Sequence, residues 1–408
     1  MKQPEKKYAS RHKQDFFKAN HGLVLPMTLQ KIVRFNSKPA LLLVVLVCFC
    51  DAIAQGQVSG RPVNLTSANN ANAFKEMQSQ EILFEKLKDA TTPPVISAIA
   101  GSRDGQYLAV AGDDHAIRII EAQSGKTIQT VIGHQDWIQS LMFVYPNLSE
   151  PNGSQVPELY SDGHDGKVLR WKYDFPLESE ELAIVPYAIR SISVSSQKQL
   201  LAIGGFSDEV LLYDLSEGQY VHRLKCNSQD QRCVQFSPDG SRLLSGSRDG
   251  EILVWDANSG EQLAQYRQHQ MRIHTAAFSA DGNWITSAGE DRRVVRYNIA
   301  EQAVLWNQEL ALSKMMALCL VNDQVLAVAG ADNKIRLYDA PSSTVIAEMS
   351  GHQGTVAVMA PCGEQLASGS FDTTVRIWNL VELEEMRSTK SIPTSTTPIK
   401  MDTQLRIR

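Results

Sequence analysis

Between Arg232 and His269 the chain sets four short runs of strand-forming residues between three turn signals. The runs are Cys233–Phe236, Arg242–Ser245, Glu251–Trp255 and Gln262–Tyr266, and the turns are Pro238-Asp239-Gly240, Arg248-Asp249-Gly250 and Asn258-Ser259-Gly260. Each turn supplies a glycine for the positive φ of a tight hairpin, with Asp, Asn or Ser beside it to bond the local backbone. The pattern predicts four antiparallel strands in one meander. A sheet of ~40 residues cannot bury both faces alone, so it has to be one unit of a stack.

The rest of the chain repeats the unit. The aromatic of the third strand recurs as Trp171, Tyr213, Trp255, Tyr297, Tyr338 and Trp378, with Ile120 in the first copy, at intervals of 51, 42, 42, 42, 41 and 40 residues. The turn carboxylate Asp249 recurs as Asp114, Asp165, Asp291, Asp332 and Asp372, with Ser207 in the third copy. Gly133-His134, Gln268-His269 and Gly351-His352 stand before first strands. Gly-His at the start, Ser-Pro-Asp-Gly in the first hairpin and Trp-Asp closing the third strand resemble the WD40 repeat family. Seven copies, from about Pro93 to Arg387, imply an all-β, seven-bladed propeller.

The copies fall at Val95–Val131, Ile138–Tyr173, Ile189–Leu224, Cys233–Tyr266, Ile273–Leu305, Met315–Met349 and Val356–Arg387. The second is longer by nine residues, through a Pro/Asn/Ser-rich extension at Tyr145–Glu158. A ring must close or leave two sticky sheet edges. Residues 73–89 read as a short helix or, over Ile82–Leu87, as a closing strand; Val381–Arg387 is the other candidate, and the amino-terminal strand is preferred. The organisation is then a leader over 1–54, a linker and closing element over 55–92, the propeller over 93–387 and a disordered tail over 388–408.

Charge changes the picture at the amino terminus. The formal net charge is −5, yet residues 1–54 hold nine Lys/Arg against three Asp/Glu, which leaves −11 on the remainder. A body of that sign is a poor general binder of nucleic acid. Lys31, Arg34 and Lys38 precede an eleven-residue apolar run, Ala40–Cys50, and Ala52-Ile53-Ala54 follows. That is the layout of a secretory signal peptide cleaved after Ala54, and a start at Met27 gives it ordinary proportions. The run is short of the ~20 residues of a membrane-spanning helix. The expected place is outside the cytoplasm, periplasmic or extracellular, with a membrane-anchored or cytoplasmic protein as the alternative. Cys226, Cys233, Cys319 and Cys362 remain after cleavage, in positions that suit buried thiols better than disulfides. Asn64, Asn147 and Asn152 begin glycosylation sequons, which matter only in a eukaryotic secretory pathway.

Some residue sets invite a chemical reading. His134, Ser161, Asp165 and Trp171 could be taken for a catalytic triad, but His269, Ser287, Asp291 and Tyr297 repeat the set, as do His352, Ser368, Asp372 and Trp378. A triad occurs once. The family resemblance implies a hydrogen-bonded chain inside each blade, from loop His through second-strand Ser and turn Asp to third-strand Trp, and buried polar groups need such partners. Blade 4 keeps Ser245, Asp249 and Trp255 with Asn227 near the His place; blades 1, 3 and 6 lack both His and Ser and are expected to be held more loosely. Asp162-Gly163-His164-Asp165 is no better a metal site, since Asp165 is already committed. No haem, zinc, calcium or nucleotide motif is present, so no cofactor or metal is expected.

Surface remains. In the family, partners dock on the face that carries the loops into each first strand and the turns between second and third strands. Here that face carries Trp137, Arg190, Phe206, His274, Met316 and Phe371, with Arg232, Arg248, Arg272 and Arg292 grouped on blades 4 and 5. Arginine and aromatic side chains are the usual anchors of interfaces. The expectation is a non-catalytic scaffold for a protein or peptide partner carrying an acidic segment, with each Arg paired to a neighbouring carboxylate as the plainer reading. An enzyme working in the central channel is the rival, and it needs acids or histidines converging on strands such as Ser97–Ala100, which offer almost none.

Overall fold

The computed structural model describes residues 77–84, 86–87, 91–145, 157–172, 176–309, 313–322, 324–342 and 344–380. The leader, the linker, most of the blade 2 extension, Val381–Arg387, the tail and the three sequons lie outside those residues.

Seven four-stranded antiparallel sheets follow one another along the chain. Blades 1 to 6 occupy residues 96–132, 138–184, 189–225, 231–267, 273–309 and 315–350, each built from four consecutive strands. Blade 7 takes three strands from residues 356–379 and its fourth, Ser79–Leu83, from the other end of the domain. That closing strand pairs with Thr374–Asn379, with Ile82 opposite Val375. It begins three residues before the expected Ile82–Leu87, and these residues are extended rather than helical. The shift has a packing reason: Ile82 and Phe84 enter the core between blades 7 and 1, while Leu83 faces outward at 70% exposure.

First strands lie innermost, each against the first strand of the next blade, and Val356–Cys362 of blade 7 meets Ile96–Gly101 of blade 1. Each blade has two apolar faces, so a separate core forms at each seam. Between blades 1 and 2, Ala109, Ile117 and Ile119 pack on Ile138, Leu159 and Trp171. Between blades 3 and 4, Val210 and Leu212 pack on Leu243, Leu253 and Trp255. Burial of a leucine such as Leu159, fully enclosed, contributes about 2 kcal/mol. Alternation along a strand sends successive side chains to opposite seams. In Glu158–Gly163, Leu159 serves the seam with blade 1 and Tyr160 the seam with blade 3.

Turn chemistry follows the repeat. In the first hairpins Ser102, Ser237 and Ser279 donate hydroxyl hydrogen bonds to Asp104, Asp239 and Asp281 at 2.5–2.6 Å. In the turns between second and third strands a positive φ is required; Gly166 and Gly250 provide it, while His115, Arg292, Asn333 and Thr373 adopt φ of 63–69° without being glycine. All four later cysteines are free and buried, and burial pushes the Cys226, Cys233 and Cys319 thiols up to about 12.

Candidate partner-binding face

The polar chain inside the blades comes first, because it positions the face. In blade 2 the His134 Nδ1 lies 3.1 Å from both Asp165 oxygens, its Nε2 is 2.8 Å from Ser161 Oγ, and the Trp171 indole N–H donates to the same Oγ at 2.8 Å. With Nδ1–H donating to Asp165, the serine proton goes to Nε2, and every group is used once. Asp165 also accepts from the backbone N–H of Gln135 and Lys167, which fixes the turn against the incoming loop. Blade 7 repeats this with His352, Ser368, Asp372 and Trp378. Blade 5 keeps His269, Ser287 and Asp291, but Tyr297 makes no bond to the serine and packs against Tyr266 instead. Burial lowers the His134 and His352 pKa values despite their carboxylate partners, so both are neutral at pH 7. Ser161 and Ser368 have no exposed surface, which leaves no room for a substrate at either hydroxyl.

The structure does not extend the chain to blade 4. Trp255 reaches Ser245 at 3.2 Å, but Asn227 turns to Glu251 and Asp249 is exposed. Blades 1 and 6 have a different tether in place of the missing His. Arg118 of the third strand grips Asp114 with two bonds at 3.2 and 2.5 Å, beneath the ring of Phe84, and Arg336 grips Asp332 at 2.6 Å. An Asp followed by Arg four residues later in the hairpin was the available signal for both.

The residues of the face owe their aim to a backbone irregularity that the sequence does not mark. In all seven blades the register between first and second strands slips after the first residue, and the unpaired residue is Ser97, Gln139, Arg190, Arg232, His274, Met316 or Ala357. Such a bulge re-aims its side chain out of the ladder. It occurs on the innermost strand, so seven side chains ring one mouth of the channel. Blades 3, 4 and 5 place Arg190, Arg232 and His274 there in succession; blades 6, 7 and 1 place Met316, Ala357 and Ser97.

Around the charged part of the ring the side chains interlock. The Arg190 guanidinium lies 4.6 Å from the centre of the Phe206 ring and that of Arg232 lies 5.9 Å from it. His164 sits between Phe206, at 6.5 Å, and Trp137, which it stacks on at 6.2 Å and 11°. Trp137 and Phe206 remain 39% and 43% exposed. Arg232 is paired with Asp230 at 2.8 Å, Arg272 with Glu290 at 3.6 Å and Arg292 with Glu309 at 2.7 Å, so the plainer reading describes those three. Glu290 also holds His274 and Lys314. Arg190 differs. Its polar contact is the side-chain carbonyl of Gln139 at 3.0 Å, and its Nε has no partner. Burial and the neighbouring Arg232 and Arg272 push its pKa down to about 10, and it stays charged at neutral pH. Arg248 is exposed on its turn, and Phe371, 50% exposed, stands on the far side of the ring in blade 7. Among the described residues Arg190 thus lies on Phe206 with no carboxylate partner, one blade earlier than the arginine count suggests.

The geometry defines a seven-bladed β-propeller with a charged, aromatic mouth on one side. The profile of the WD domain, G-beta repeat matches residues 84–121, 218–256, 260–298 and 343–379. The last three matches begin at the fourth strand of one blade and end at the third of the next, so the sequence repeat is offset from the structural blade by one strand. Those four segments match the WD40 repeat. It is 34% identical over 236 residues to the serine-threonine kinase receptor-associated protein of Homo sapiens, covering 47% of this chain and 65% of that protein. It is 29% identical over 108 residues to small ribosomal subunit protein RACK1 of Neurospora crassa, covering 26% and 31%. To cell division control protein 4 of Saccharomyces cerevisiae it is 41% identical over 64 residues, or 15% of this chain and 8% of that one. The chain thus spans at most 65% of the length of these relatives.

Proposed function

We propose that this protein is a non-catalytic scaffold that holds a protein partner on the mouth formed by blades 2 to 5, with Arg190 and Phe206 engaging an acidic segment of it. The observation that carries the reading is a guanidinium without a carboxylate partner among the described residues, laid on a half-exposed aromatic ring. A carboxylate arriving from a partner gains a charge-assisted, bidentate bond there, and the ring excludes water from it. The names of two relatives, receptor-associated and ribosomal subunit, record association with other molecules and agree with this class of role. The basic, then apolar, then small-residue pattern of residues 1–54 supports a place outside the cytoplasm for the scaffold, and sequencing the amino terminus of the protein tests that part separately.

The binding reading is tested by comparative affinity purification. Arg190→Glu combined with Phe206→Ala should release partners that the wild type retains, while Arg292→Glu, at a position already neutralised by Glu309, should retain them. A partner set unchanged by the double variant would sink the reading.

A further inference from the structure

Asp162 is the one carboxylate at a register position that the other blades fill with the smallest residues. Opposite the residue that follows each bulge stand Ala111, Asp162, Gly204, Gly246, Ala288, Ala329 and Gly369 in blades 1 to 7. A carboxylate among Ala and Gly is not needed to build the sheet. Asp162 is fully buried; one oxygen accepts the Ser140 hydroxyl proton and the other has no hydrogen-bond partner. An orphaned buried oxygen is costly, so its retention calls for a cause outside packing.

Strand alternation supplies the direction. Leu159 and Ser161 serve the seam with blade 1, so Tyr160 and Asp162 face the seam with blade 3. Ser140 ties that seam together, accepting the backbone N–H of Ile192 at 3.3 Å while it donates to Asp162. Ile192 is two residues beyond Arg190 on the same strand, so Asp162 lies beneath the mouth where Arg190 sits. The charged groups that act on it are Arg190 from blade 3 and Asp165 from its own blade, with His164 two residues along the chain. The second strand of blade 3 presents the uncharged Leu201 and Ile203 to the same seam.

We infer that Asp162 is a proton-operated regulator of the Arg190 site, resting on the function proposed above. When Asp162 is ionised, its charge offsets that of Arg190 and an acidic segment is held weakly. When it is protonated, Arg190 presents its full charge to the partner. Burial pushes the Asp162 carboxyl up to about 7, against the Ser140 hydrogen bond and the pull of Arg190, so the change falls in the physiological range. The proton goes onto the buried carboxylate; no bond to the partner forms or breaks.

The test uses the mature wild-type protein and a dye-labelled octaglutamate peptide, read by fluorescence anisotropy from pH 6.0 to 8.5. Loss of a unit charge beside Arg190 should change the affinity about tenfold, tighter at the acid end. Asp162→Asn should bind tightly across the range, with little of that slope. Asp162→Ala, which installs the residue of blades 1, 5 and 6, serves the same purpose if the amide disturbs folding. Retention of the wild-type slope in both variants would assign the pH effect to His164 or His274 and overturn the inference. Wild-type binding that ignores pH would overturn it too while leaving the scaffold reading intact. No binding by the wild type at any pH would remove the scaffold reading itself. Thermal melts give an independent check: the stability of Asp162→Ala over wild type should grow as pH rises from 4 to 8, because ionising the buried carboxyl costs only the wild type.

Discussion

Blades 7 and 1 are neighbours across the closing seam, and they meet the same physical requirement with different parts. Each must tie a turn carboxylate to its own blade. Blade 7 uses a neutral histidine, a buried serine and a tryptophan, and Asp372 collects His352, the Gln353 N–H and Thr374. Blade 1 has no histidine in the loop and no serine on the second strand; Arg118 reaches Asp114 directly within one hairpin. The first device joins the turn to the loop arriving from the previous blade. The second closes the turn on its own sheet and leaves that loop to other contacts, such as the Val95 N–H on Asp113 at 2.8 Å. Blades 1 and 6, which lack the histidine, are thus tied over a shorter span instead.

The largest expected effect comes from removing the hub of the longer device. Asp372→Ala strips a histidine, a backbone N–H and a hydroxyl of their acceptor at once and should cost about 3 kcal/mol, read from the denaturant midpoint. Hydrogen exchange should rise across residues 351–374 while blade 1 stays protected; equal loosening of both blades would show that the two ties are not independent.

Acid should separate the blades next. The His352 pKa is lowered by burial, so the folded state resists protonation and stability falls as pH drops below the unfolded value of 6.5. Burial alone would raise Asp372, but Thr374, the Gln353 N–H and His352 outweigh it and hold the carboxyl at about 2, so a further loss follows between pH 4 and 2. Blade 7 should therefore exchange its amides severalfold faster at pH 5 than after correction from pH 7, and blade 1, whose turn is tied without a histidine, should not. A uniform acid response around the ring would contradict the comparison.

The smallest effect is a gain. Thr373 holds φ at 69°, a left-handed conformation that a β-branched residue adopts at a cost. Thr373→Gly should raise stability by about 1 kcal/mol, and His115→Gly at the matching turn of blade 1 by less, since histidine tolerates that region better.

The ring itself was legible because a meander repeats an aromatic and a turn acid at nearly constant spacing, and the closing strand, expected at Ile82–Leu87, begins three residues earlier. The candidate face was only half legible. Ser97, Gln139, Arg190, Arg232, His274, Met316 and Ala357 share no chemistry, so no residue type announces the slip that aims all seven. The pairing of Arg232 with Asp230, two residues away, and of Arg272 with Glu290 was open to the sequence as the plainer reading, whereas that of Arg292 with Glu309 needs the last two strands of blade 5 to pair. Asp162 reads in the sequence as one acid in a polar turn. Its burial exists only once blade 3 has docked.

Among the described residues the strand Ser79–Leu83 finds its sheet partner almost 300 residues later, in Thr374–Asn379. During translation the ring must wait, open at one edge, until that last hairpin has left the ribosome, and any premature stop within blade 7 strands the early segment with an unpaired edge. The same arrangement makes one strand pair a clasp. A pull applied to residues 77 and 380 loads those few hydrogen bonds before it reaches any blade behind them.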